Sequence, residues 1–321
     1  MIGRVETIEL TWCIVNTAQP ERLSECLDAV AVERKSLPFA TEVIVLDNCS
    51  KDGSAELASA HPAVDRVIAL QRRQGKAAND SQLIGAAHGR YCLLLNEDAA
   101  LQPGATRELH MALETDLLAA AAGARLLDPS GNEQPSAWRF PSWETVIAGA
   151  LLLHRRATVE SGKAEWTMPV DWAQSAAMLL RREMVEAVGR LDPDYFVYSD
   201  ETDLCKRLAD SGWHTLHVPS AVAIHHEGLS TGASAERRIV EFARGRDRYL
   251  RTHLGRITAL IMRPLIAFPY LVRAIAALAL PGHDPRRYLA HMRAALRPSA
   301  GEGLREAAER FNQQLGEQVA P

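Results

Sequence analysis

The sequence predicts an α/β protein, a mostly parallel central sheet flanked by helices, with a helical tail at the C-terminus. Two observations predict that class. Between residues 8 and 96, four strand-like segments alternate with three helical ones, the order of crossover units in a parallel sheet. The strand-like runs, among them Val43-Ile44-Val45-Leu46 and Leu93-Leu94-Leu95, are apolar throughout, as strands covered on both faces must be. A third observation predicts the tail. Residues 236–300 hold 13 Arg, no Lys and 4 acids, a local excess of +9 in a chain whose formal net charge is −4.

The first strand covers 8–16 and its helix 21–34. The second strand, 42–48, runs into Asp47-Asn48-Cys49-Ser50-Lys51-Asp52-Gly53, a turn rich in Asx and Gly that opens a helix over 54–60. A third strand over 66–71 and a helix over 79–87 lead to the fourth strand, 91–96, which ends in Glu97-Asp98 and the Pro103-Gly104 turn. From 126 to 171 the alternation fades among Pro129, Pro135, Pro141, Trp138, Phe140 and Trp143. A strand over 176–180 and a helix over 182–188, closed by Gly189, follow. Residues 189–230 then pack a carboxylate cluster, a turn and a histidine pair into one segment. Asp200, Glu201 and Asp203 crowd a loop-to-helix junction, where like charges are costly unless a cation, a proton or a helix N-terminus relieves them.

With 321 residues, 47% hydrophobic and 24% charged, the chain has room for one large α/β domain plus a tail, and nothing global points to nucleic acid. We expect a domain over 1–235, divided near 105, and a tail over 236–321. The tail's apolar stretch, 257–280, is interrupted by Arg263, Pro264, Pro269 and Arg273. Each central arginine costs about 2.5 to 3.5 kcal/mol on insertion, so a helix lying in the membrane interface fits better than a span. An amphipathic helix packed on the main domain fits almost as well. Cys13, Cys26, Cys49, Cys92 and Cys205 have no zinc spacing and read as buried thiols, and Met1 to Trp12 lacks a signal-peptide pattern. The expected location is cytoplasmic, peripheral on the inner face of the cell membrane, with the anionic surface met by 236–300.

Ligands of parallel α/β sheets bind beyond the carboxyl ends of the strands, which directs attention to Asn16, Thr17, Asp47, Asn48, Arg72, Arg73, Asn96, Glu97 and Asp98. The segments VIVLDNCSKDGS, GKAANDSQLIGAAHGRYCLLLNED, VDWAQSAAMLLRRE, DPDYFVYSDETDLCKRLADSGW and HHEGLST occur in the order and spacing of a known family. Together they resemble family 2 glycosyltransferases of the GT-A fold, the rhamnosyltransferase-like branch of bacterial cell-surface polysaccharide synthesis, from about residue 8 to about 255.

The resemblance implies a nucleoside-diphosphate sugar donor contacted by Asn16, Thr17, Asp47, Asn48, Arg72, Asn79 and Asn96, with Asp47 on the base. It implies Mg²⁺ or Mn²⁺ on Asp98, in a DxD-like motif whose first position is Asn96, with His225 approaching the metal or diphosphate. Glu201 or Asp200 becomes the base of an inverting transfer, and Trp172, Asp203, Arg207, His226 and Ser230 fall on the acceptor or diphosphate side. The acceptor is a glycan or a polyprenyl-diphosphate-linked sugar, and a homodimer stays open. Two departures stand out: the family usually has Glu-Asp where this chain has Asp200-Glu201, and Ser175 replaces a usual glycine. They motivate a second reading, a nucleotide-binding scaffold with impaired turnover. A sugar-phosphate nucleotidyltransferase ranks last, because Asn16-Thr17-Ala18-Gln19-Pro20 lacks a glycine-rich phosphate loop.

Overall fold

A computed structural model describes residues 7–163, 165–226 and 233–319. The apolar runs become the parallel strands β1 (Leu10–Asn16), β2 (Thr41–Asp47), β3 (Arg66–Ala69) and β4 (Tyr91–Asn96), joined by helices α1 (Pro20–Ser36), α2 (Ser54–Ala60) and α3 (Lys76–Ala86). The third helix starts at Lys76, three residues before the sequence reading placed it. Thereafter come β5 (Ala99–Leu101), α4 (Ala105–Thr115), β6 (Ala119–Leu127), β7 (Glu133–Gln134) and β8 (Ala137–Trp138). Next are α5 (Trp143–Ala150), α6 (His154–Ala157), β9 (Met168–Val170), β10 (Trp172–Ala173), β11 (Ala177–Arg181) and α7 (Arg182–Ala187). The irregular stretch of the sequence is thus short strands and two helices.

α8 (Asp200–Asp210) precedes the long β12 (His214–His225). The main sheet runs β3-β2-β1-β4-β11-β6-β12-β5, with β11 antiparallel to both neighbours and β12 parallel to β6. Register aligns Asn16 with Asp47 and Val15 with Asn96, so three strands deliver their polar ends to one edge. β5 doubles back against β12, pairing Ala99 with His225. Apolar side chains cover both faces of the sheet, and Cys13, Cys26, Cys49, Cys92 and Cys205 are buried thiols.

The described tail is built of helices joined by short turns: α9 (Ala233–His253), α10 (Arg256–Ala277), α11 (Pro285–Leu296) and α12 (Leu304–Val319). Ala259 and Met262 of α10 enter the same core as Leu204 and Leu208 of α8. Arg263, one of the arginines that argued against a span, makes a two-pronged bond to Asp247 of α9, at 2.9 and 3.0 Å.

Candidate active site

Three layers of local structure build the site. In the first, Asn16 Nδ2 donates to Asp47 Oδ1 at 2.9 Å and Ser50 N donates to Asp47 Oδ2, also at 2.9 Å. Asp47 is buried and spends its carboxylate ordering the turn after β2. Asn48 ties that turn to the loop before α3, since its Nδ2 donates to Thr17 Oγ1 and Gln74 O while its Oδ1 accepts from Gln74 N. Asn79 is fully buried with neither side-chain polar atom paired, an arrangement that costs about 1 to 3 kcal/mol. Arg72 is exposed, while the backbone of Arg73 is held by Asn312 of α12 and its guanidinium lies 3.7 Å from the Phe311 ring centroid.

The second layer is the acidic end of β4. Glu97 accepts from Thr17 N at 3.2 Å and Gln19 Nε2 at 3.3 Å; burial first, then the charge of Asp98, push its carboxyl up to about 7. Asp98 lies beside His225, Oδ1 to Nε2 3.4 Å, because β5 pairs with β12. Burial raises the Asp98 carboxyl, but the bond to and charge of His225 outweigh it and leave it below the usual range. Gln134 fixes the imidazole: its Nε2 donates to His225 O at 3.1 Å, so its Oε1, 3.2 Å from Nδ1, must accept. Nε2 is then left to Asp98. An imidazole nitrogen and a carboxylate oxygen 3.4 Å apart are spaced like neighbouring ligands of one ion with bonds of about 2.1 Å, so the pair fits a divalent metal. His226 turns away, with Nε2 3.3 Å from Arg22 and 3.7 Å from Glu25. Ser230 lies outside the described residues.

A second cluster, Glu9, His110 and Glu114, also brings ligand atoms together, but at the opposite end of β1. Arg90 bonds both of its acids there, at 3.3 and 3.1 Å, and Arg181 lies 3.8 Å from Glu114, so two arginines balance the two carboxylates.

The third layer is the start of α8. Tyr198 and Ser199 both adopt positive φ, 69° and 63°, a strained pair that the surroundings hold in place. Gly75 and Gly245 allow it: a Cβ on the first would come 2.5 Å from Phe196 O, and on the second 2.4 Å from Tyr198 O. α3 and α9 therefore press backbone against backbone on the turn that delivers Asp200 and Glu201. Asp200 is 1% exposed, with Oδ2 unpaired; Glu201 is the more accessible acid. Burial, then the charge of Asp200 and its hydrogen bond, push the Glu201 carboxyl well above the carboxylate range. Lys76, which the sequence reading passed over, bonds Asp80 and donates to Ser175 Oγ at 3.0 Å. Burial alone would lower its pKa, but the charges of Asp80 and Asp200 reverse the shift and hold it cationic. Its ammonium acts on Glu97 and Glu201 alike, joining the second and third layers. The hydroxyl at position 175, a departure in sequence, serves as its acceptor.

Asp203 and Arg207 brace the scaffold. Asp203 takes bonds from His253 and Arg207, each at 2.8 Å, and Arg207 also caps the carbonyls of Val188 and Arg190 at 2.6 Å. Trp172 stacks on Trp138 with centroids 4.4 Å apart, and β10 runs beside α8. Two signals in the sequence pointed to what was missed: a lysine directly after Gly75 with an aspartate four residues on, and Gly245 in the middle of a helical segment.

Comparison with known proteins agrees with this architecture. The chain is 30% identical over 231 residues to the N-acetylglucosaminyl-diphospho-decaprenol L-rhamnosyltransferase of Mycobacterium tuberculosis, covering 61% of this chain and 71% of that one. In fold it is similar to the mannosyltransferase PcManGT of Pyrobaculum calidifontis, solved with GDP-Man and Mn²⁺, at a TM-score of 0.56 and 16% identity over 96% of this chain and 84% of the other. It is also similar to GalNAc-T7, solved with UDP, GalNAc and Mn²⁺, at 0.57 and 14% identity over 97% of this chain and 58% of that one. The fold is GT-A. The sequence model of Glycosyl transferase family 2 matches residues 11–188, more than half of the chain, and with the polar strand ends, the Asp98–His225 pair and the acids of α8 at one edge of the sheet, this protein belongs to that family.

Proposed function

We propose that this glycosyltransferase moves L-rhamnose, with inversion, from TDP-rhamnose to a hydroxyl of a polyprenyl-diphosphate-linked glycan. The observation that carries the reading is Glu201: a half-buried carboxylate, less buried than Asp200, with a raised pKa at a helix start and within the field of Lys76. Glu201 takes the proton of the acceptor hydroxyl as its oxygen attacks the anomeric carbon from the face opposite the departing nucleoside diphosphate. Its raised pKa makes it a stronger base than an ordinary carboxylate once ionised. The loops around Asn16, Thr17, Asp47, Asn48 and Asn79 hold the nucleotide, with Arg72 at the open side. Asp98 and His225 hold Mg²⁺ or Mn²⁺, which when bound supplies positive charge to the leaving diphosphate. Trp172, near α8, lines the acceptor side.

The M. tuberculosis relative, named for a decaprenol-linked acceptor, supports a lipid-linked substrate, and the arginine excess over 236–300 favours an enzyme held at the inner face of the membrane by its tail. Calorimetric titration with TDP, UDP and GDP, each with and without Mn²⁺, tests the donor site. Metal-dependent binding of TDP, lost in Asp47→Ala, supports the reading; binding of none removes it. A donor panel with a lipid extract then tests the sugar, and turnover with another sugar alone would replace rhamnose.

A further inference from the structure

We infer that the membrane contact is not made by the tail alone: the Leu151–Leu153 turn of the catalytic domain and the exposed stripe of α10 form one surface that docks on an anionic bilayer, with an arginine-lined cavity at its near end for lipid headgroups.

α10 has two faces. Ala259, Met262, Ala267, Ala274 and Ala277 are buried against the protein. Ile257, Ile261, Pro264, Phe268, Leu271, Ile275 and Leu278 recur at intervals of three and four and form one exposed stripe about 30 Å long. The large side chains in it are 38 to 78% exposed, and no charge interrupts it. A helix docked on its own domain for folding alone would not show water an unbroken apolar row of this length.

The same surface continues into the catalytic domain. α10 packs against α5, and Arg273 Nη2 lies 3.4 Å from His154 Nδ1, which brings the turn before α6 up to the C-terminal half of α10. That turn presents Leu151, Leu152 and Leu153 to solvent, about half exposed or more, with Leu152 at φ 62°. Three leucines held outward through a left-handed residue spend backbone strain on exposure, the opposite of what core packing would select. Two exposed arginines, Arg155 and Arg156, follow at once.

Charge selects the occupant. Residues 145–159 and 256–283 contain no carboxylate and offer Arg155, Arg156, Arg256 and Arg273, Arg263 being fastened to Asp247. A second copy seated here would set arginine against arginine, whereas anionic headgroups complement them. At the N-terminal end of the stripe, a cavity of about 530 Å³ is lined by Arg244, Arg248, Arg251, Arg256 and Arg305 against Asp247 and Glu306. Arg244 is spent on Glu306 and Arg248 on Asp192 and Asp194, while Arg251 reaches Asp247 only at 4.0 Å. Arg251 and Arg256, beside Ile257, are the cations offered to a phosphate. α10 is long and apolar enough to cross a membrane, but the bond that fastens Arg263 to Asp247 and its packing on α5, α9 and α11 hold it along the protein. The surface gives the lipid-linked-acceptor reading its place of action and rests on that reading for purpose, not for geometry.

Vesicle flotation of the full chain tests it, with vesicles of phosphatidylcholine alone and of an equal mixture with phosphatidylglycerol. We expect binding to the mixture. The pair Leu151→Ser/Leu153→Ser, which leaves the tail intact, should weaken it about tenfold or more, as should Ile275→Ser/Leu278→Ser. Arg251→Ala/Arg256→Ala should lose the preference for the anionic mixture. All three pairs alter exposed side chains, so the melting temperature and nucleotide affinity should stay at wild-type values. Unchanged flotation of the Leu151/Leu153 variant overturns the proposal, and so does a dimer in sedimentation velocity that Ile275→Ser/Leu278→Ser converts to monomer. Absence of nucleotide binding with flotation intact sinks the transferase reading alone; nucleotide binding without flotation sinks only this one.

Discussion

Two acid pairs face the same edge of the sheet, Glu97–Asp98 at the end of β4 and Asp200–Glu201 at the start of α8, and their surroundings drive them apart. At Asp98, His225 outweighs burial and keeps the carboxylate ionised. At Glu201, burial and a like charge keep the proton on well above the usual range. Glu97 is raised as Glu201 is, to about 7, so the pairs differ at the aspartate: His225 readies Asp98 to hold a cation, whereas the buried Asp200 readies its neighbour Glu201 to take a proton. The lesson is that roles follow from the neighbours: the histidine fixed by Gln134 in one case, and in the other the like charge of Asp200 within the pair, relieved in part by Lys76 outside it.

The largest effect should come from Glu201→Gln, which keeps shape and removes the base. Transfer should fall on the order of a thousandfold while nucleotide affinity in calorimetry stays unchanged. If transfer survives and Asp200→Asn abolishes it, the buried member is the base and the contrast in accessibility has been misassigned. At the other pair the losses should fall on binding. Asp98→Ala should lower donor affinity in Mn²⁺ about a hundredfold and erase its metal dependence. Gln134→Leu, which frees the imidazole without touching the ion, should cost about tenfold in Mn²⁺ affinity. Equal Mn²⁺ titrations for wild type and Gln134→Leu would show that the glutamine does not orient the ligand.

The difference between the pairs also marks how far the sequence could be read. Asp98, His225, Asp200 and Glu201 were legible because each ends or begins an apolar segment, where polarity changes abruptly. So was the parallel half of the sheet. The antiparallel insertion of β11 between β4 and β6 was not, since a five-residue apolar strand carries no mark of its direction. Arg207 and Asp203 looked like site residues because their neighbours in sequence are; only folding shows that His253, fifty positions on, claims one and the carbonyls of Val188 and Arg190 the other. Gly245 is the reverse case. Its role is a close approach to Tyr198 O across the fold, and residues far apart in the chain leave no periodic trace of such a contact.

Lys76 is the element that the two pairs share, and removing its charge should move one pair's titration. The ammonium lowers the Glu201 carboxyl, so Lys76→Met should raise it further. A base works when ionised, and the rate therefore climbs as pH rises through its folded-state pKa. The acidic limb of the pH–rate profile should shift to higher pH by about one unit. Asp80→Asn is introduced in the same chain so that no buried carboxylate is left unpaired, and Asp80→Asn alone is the control. A limb that stays in place would mean that Lys76 holds structure and does not tune the base.

Ser175→Gly should have the smallest effect and separates charge from position at that lysine. The hydroxyl accepts one bond from Lys76 Nζ at 3.0 Å, while the stronger partner, Asp80, remains. Loss of a neutral acceptor from a buried cation that keeps its carboxylate should cost about 1 kcal/mol of stability, measured by denaturant unfolding. Because the ammonium keeps its charge and its anchor, Glu201 should feel nearly the same field, and the pH–rate limb should not move. A limb displaced as far as in Lys76→Met would show that Ser175 sets where the ammonium sits. The serine would then belong with His225 and Asp200 among the neighbours that decide what each acid does.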